Sequence, residues 1–134
     1  MMEALLKQLE ELVGTDDFEF DSEDIMEQLS AEGAGSELIT PLLQIMERHP
    51  LDDFGMPGAM AAFIERFHPA HMPLLAESLK RSPALHTVWM LNRCINGGHT
   101  EYLSLMQEIA ENPAVDSAIR ESAKGFLDHQ TNRA

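Results

Sequence analysis

Asp16, Asp17, Glu19, Asp21, Glu23, Asp24 and Glu27 crowd into one short segment and frame Phe18 and Phe20. Carboxylates at this density attract cations, and aromatic rings set among them can act as the desolvated anchors of a protein interface. Glu32 extends the acidic run. A calcium loop is the first alternative, because the acids alternate with other residues. The run lacks the glycine at the sixth loop position and the closing bidentate glutamate that such a loop needs. Acid–base catalysis is the second, but it requires two carboxyl groups facing each other across a cleft, which abundance in sequence does not supply. Phe18 and Phe20 also admit a structural role, tying the segment to the core.

The remaining reactive residues give weaker patterns. His68 and His71 can meet on one helical turn, yet Pro69 interrupts it and no third ligand follows at a metal-site spacing. Cys94 has His86 and His99 within reach along the chain, but its place beside Leu91 and Ile95 marks a small half-buried hydrophobe rather than a nucleophile. Asp53-Phe54-Gly55 matches a kinase tripeptide in a chain that lacks the other kinase motifs. There is no nucleophile elbow and no phosphate-cradling glycine loop. The expectation is a protein without catalytic activity, cofactor or metal.

Helices must position these groups. Leu5, Leu6, Leu9, Leu12 and Val13 follow three-and-four spacing up to Gly14. Thr15 to Asp21 reads as a connector, and Asp21 or Ser22 as the cap of a second helix reaching about Glu32 through Ile25, Met26 and Leu29. A third helix runs from Ser36 to His49, a fourth from Pro57 to Phe67 and a fifth from about Ala70 to Arg81. Ser82 and Pro83 are placed as cap and first residue of a sixth, ended by Asn96-Gly97-Gly98. A seventh spans Thr100 to Glu111 and an eighth about Val115 to His129, with Thr131 to Ala134 expected to fray. No stretch alternates as a strand does. The expected architecture is all-α: one domain over residues 1–134, of about eight short antiparallel helices in a compact bundle or a short HEAT-like repeat. Met26, Met46, Met72 and Met106 fall at core spacing and read as core filling.

Charge divides this domain in two. Residues 1–53 carry 15 acids and 2 bases, a net of -13, whereas residues 54–134 carry 8 acids and 7 bases, a net of -1. An acidic half repels nucleic acid and anionic membranes, so neither is an expected partner. No apolar run is long enough to span a bilayer, the N-terminus does not read as a secretion signal, and a single cysteine suits a reducing compartment. Together these lead to the expectation of a cytoplasmic protein.

The balanced half holds the most specific-looking residues. Gly55 and Gly58 permit a tight connector, Pro57 can open a helix, and Phe54 can staple the connector to the core. Arg93 is expected to pair with Asp52 or Asp53. His49-Pro50, Asp53-Phe54-Gly55-Met56-Pro57-Gly58, Ser78-Leu79-Lys80-Arg81-Ser82-Pro83 and His86-Thr87-Val88-Trp89-Met90-Leu91-Asn92-Arg93 with Ile95-Asn96 form a distinctive set. In these motifs, which span a little over a third of the chain, the sequence resembles small helical bacterial immunity proteins that accompany polymorphic or contact-dependent toxins. The resemblance implies stoichiometric neutralisation of a cognate toxin domain, and the motifs look like scaffold rather than binding surface. Nuclease toxins must hold phosphate and are often basic, so a clustered acidic face suits such a partner. The alternative is a helical-repeat adaptor or regulator with no toxin partner.

Overall fold

The computed structural model describes residues 2–132, and over these the chain is all-α. The helices are α1 (Met2–Leu12), α2 (Phe18–Ala31), α3 (Ile39–Arg48), α4 (Gly58–Glu65), α5 (Met72–Arg81), α6 (Leu85–Asn96), α7 (Leu103–Glu111) and α8 (Ser117–Asn132). Single 3₁₀ turns, Ser36–Leu38 and Thr100–Tyr102, lead into α3 and α7. There is no strand among the described residues.

Each helix exists because its apolar residues recur at helical spacing and bury one face. In α1 these are Leu5 and Leu9; in α3, Leu42, Leu43, Ile45 and Met46. The chain leaves α1 through Gly14 at a φ of 83°, a left-handed conformation that favours glycine. Packing runs between helices one or two apart along the chain: α1 on α2, α2 on α4, α3 on α5, α5 on α6, α6 on α8 and α7 on α8. A contact of α3 with α6 closes the arrangement. One buried cluster extends from Leu5 in α1 to Ala123 in α8, and it includes Met26, Met46, Met72 and Met106.

Three local features differ from the sequence expectation. Phe18, Glu19, Phe20 and Asp21 lie inside α2 and not in a connector, because Phe18 begins the stripe that Ser22, Ile25, Met26 and Leu29 continue. Ser22 is therefore no cap; it is buried, and its Oγ donates to the Glu19 carbonyl at 3.2 Å. Ser82 and Pro83 precede α6 without entering it. Ala84 is extended at the N-cap position, and its N–H donates to Thr87 Oγ1 at 3.0 Å, satisfying one of the donors that a helix start leaves open. At the C-terminal end α8 runs through Asn132, past the expected end near His129, and Arg133 and Ala134 lie outside the described residues.

Arginine–carboxylate pairs tie these elements together. Glu47 accepts two hydrogen bonds from Arg81, at 2.6 and 3.0 Å, and a third from Ser78 Oγ at 2.7 Å, joining α3 to α5. Burial alone would push the Glu47 carboxyl up, but these donors outweigh it and hold it below its ordinary value. Glu65 accepts twice from Arg93, joining α4 to α6, and Glu10 accepts twice from Arg48 and contacts His49, joining α1 to α3. The partner of Arg93 is thus Glu65 rather than Asp52 or Asp53. Asp53 instead accepts the Gly55 N–H at 2.8 Å, within the connector.

Candidate acidic interface

The position of α2 decides which of its side chains can meet a partner. Phe18 is 6% exposed and packs edge-on against Phe54 with ring centroids 5.7 Å apart. It is a core residue, so the expectation that it belongs to an interface is corrected. Phe20, two positions on and pointing the other way, is 73% exposed. Phe20, Glu23, Asp24 and Glu27 recur at three-and-four spacing on the face opposite Phe18, Ile25 and Leu29. All four are exposed, as are Asp16, Asp17 and Glu19 at the start of the helix; Asp21 is half-buried at its edge. The result is one aromatic ring standing in a field of carboxylates.

Among the described residues none of Asp16, Asp17, Glu19, Asp21, Glu23, Asp24 or Glu27 forms an ion pair. Asp17 occupies the N-cap position of α2 without a side-chain capping bond. Glu19 and Asp21 lie in the first turn, where the helix dipole favours negative charge, so they have a structural reason to be there. Glu23, Asp24 and Glu27 are beyond that turn. A groove of about 590 Å³ runs alongside, bounded by Glu23, Met26 and Glu27 of α2 and by Ala62 and Phe63 of α4, with Arg66 at its end. The Arg66 guanidinium lies 5.3 Å from the Phe63 ring centre.

The motif region behaves differently. Phe54 is fully buried, as the staple reading expects, and His86 packs on its ring at 5.5 Å. His86 Nε2 is 3.0 Å from the Pro57 carbonyl, fixing the connector to α6. A Cβ on Gly55, whose φ is 102°, would lie 2.6 Å from the Gly58 Cα, so the turn requires glycine. Asn92 and Asn96 both accept from Gln130 Nε2, linking α6 to α8. These residues brace the fold.

The histidines and Cys94 form a second cluster, which the sequence showed only in part. His68 and His71 do meet, with ring centroids 5.1 Å apart, and His99 joins His68 at 5.3 Å. The neighbour of Cys94 is His71, whose Nε2 is 4.0 Å from the sulfur; no spacing in the sequence signals this contact across α5 and α6. Burial pushes the Cys94 thiol up to about 11, which favours its protonated form at neutral pH. Burial, reinforced by His68, also lowers the pKa of His71. Among the described residues no three His, Cys, Asp or Glu side chains are arranged to hold a metal ion, and no helix is long and apolar enough to cross a membrane.

Against known proteins, the chain matches no family model, no curated protein and no solved structure.

Proposed function

We propose that this protein neutralises a cationic protein partner by binding it stoichiometrically through the outer face of α2, in the manner of the toxin-immunity proteins its motifs resemble. One observation carries the reading: Phe20, Glu23, Asp24 and Glu27 stand exposed on one face, and the carboxylates form no ion pair among the described residues. Unpaired acids concentrate a field that steers a basic partner, and an exposed ring at their centre supplies apolar area to desolvate on contact. Such a protein needs no chemistry of its own. Occupying or shielding the partner's basic surface is enough to exclude that partner's anionic substrate.

The experiment is co-expression with the product of the adjacent gene. The reading expects a complex of fixed stoichiometry and protection of the cell from that product. Loss of protection on changing Glu23, Asp24 and Glu27 to lysine, in a variant that folds normally, supports the α2 face; full protection by that variant contradicts it. A second reading, a helical-repeat adaptor, is favoured by the packing of helices one or two apart along the chain. A toxin gene consistently beside this one discriminates against it.

A further inference from the structure

The connector between α3 and α4 separates two clefts of opposite character. On one side Leu51, Met56, Leu85, His86 and Trp89 line a hollow of about 270 Å³. Leu51 is 52% and Met56 81% exposed, so two large apolar side chains stand in solvent at its rim. On the other side Asp16, Glu19, Asp52 and Asp53 surround a hollow of about 280 Å³. Asp52, Asp53 and Gly55 belong to both walls.

The wall between them is braced by hydrogen bonds and packing. Phe54 is buried beneath it, Leu85 N–H donates to the Pro50 carbonyl at 2.8 Å, and His86 holds the Pro57 carbonyl. His86 in turn packs on Trp89 at 5.2 Å, and the Arg93 guanidinium lies 4.9 Å from the Trp89 ring centre, held there by Glu65. A site built this way pays little ordering entropy when occupied. Its apolar hollow falls below the roughly 300–1,000 Å³ of pockets that enclose a cofactor-sized ligand, which suits a single side chain instead.

We infer that the connector is a docking site for a basic, extended segment of a partner protein, placing an aliphatic or aromatic residue among Leu51, Met56 and Trp89 and a neighbouring Lys or Arg against Asp16, Glu19 and Asp53. Charge complementarity selects the occupant. Asp16, Glu19 and Asp53 form no ion pair among the described residues, and Asp53 accepts the Gly55 N–H. Because the two hollows share Asp52, Asp53 and Gly55, a short segment that carries an apolar residue beside a base can reach both. The inference rests on the reading of a cationic partner and adds a second contact surface beside α2.

The test titrates the synthetic peptide acetyl-Gly-Lys-Arg-Leu-Arg-Gly-amide into the full ¹⁵N-labelled chain, up to about 5 mM, where a fragment with two contacts binds. Amide shifts at residues 51–56 and at the Trp89 indole are expected. Replacing the peptide's leucine with serine is expected to weaken binding about fivefold, and replacing its bases with glutamate to abolish it. The double variant Leu51→Ser, Met56→Ser, altered only at exposed positions, is expected to bind about fivefold more weakly. No shifts, shifts confined to residues 20–27, equal binding of the serine peptide, or unaltered binding by the double variant each overturn the inference. None of these touches the α2 reading, which fails only if Glu23, Asp24 and Glu27 prove silent toward the whole partner.

Discussion

Glu10, Glu47 and Glu65 each hold an arginine from a different helix, whereas Glu23, Asp24 and Glu27 hold nothing among the described residues. The first three acids sit where two helices meet and are largely shielded, so their charge is met inside the molecule. The last three stand outside the helix packing, on a face whose opposite side carries the core. Carboxylates therefore stand in two environments, and burial distinguishes them. Phe18 and Phe20 repeat the distinction with aromatic rings, one in the core and one in solvent.

The largest expected effect sets the two regions apart on stability. Phe54→Ala removes a fully buried ring in contact with Phe18 and His86 and is expected to cost about 3–5 kcal/mol in urea denaturation. Phe20→Ala is expected to stay within about 0.5 kcal/mol. A large loss at Phe20 would mean that it belongs to the fold. Next, Glu47→Gln weakens the α3–α5 clamp and is expected to cost about 1–2 kcal/mol, allowing for the solvent exposure of Arg81. Glu23→Gln is expected to cost less than about 0.5 kcal/mol.

Acid should separate the same groups by window. His71 and His86 have lowered values in the folded chain, from burial first, so the unfolded chain takes up their protons earlier. Stability is then expected to fall as pH drops through 6.5, the unperturbed imidazole value. Glu10, lowered chiefly by its bond to Arg48, and Glu47 act the same way below 4.5, where their stabilisation is lost as pH falls through the folded values. Urea midpoints measured between pH 8 and 3 should show both declines, and His86→Gln should reduce the upper one. The smallest effect concerns salt. Repulsion among the unpaired acids is screened as salt rises, so stability should increase by a few tenths of a kcal/mol, and less in the Glu23→Lys, Asp24→Lys, Glu27→Lys variant.

The helices were legible because their apolar spacing is strong, and the acidic run because composition alone reveals it. The start of α2 is hard to read from sequence for an identifiable reason: Phe18 and Phe20 alternate with acids, which mimics a connector. The stripe from Phe18 through Ser22, Ile25 and Leu29 was nonetheless present in the sequence. The partner of Arg93 was not legible, since Glu65 and Arg93 meet across two helices and spacing says nothing about such contacts. Leu51 and Met56 were hidden differently. Large apolar residues are expected inside, and only the fold exposes these two.

The central claim is that the unpaired acids of α2 recruit a cationic partner. Its most direct test is the association rate with the purified product of the adjacent gene, measured by stopped flow across a salt series. The account predicts a rate that falls steeply with salt, and a drop of about tenfold or more at low salt on changing Glu23, Asp24 and Glu27 to lysine. A rate indifferent both to salt and to those three substitutions would contradict it.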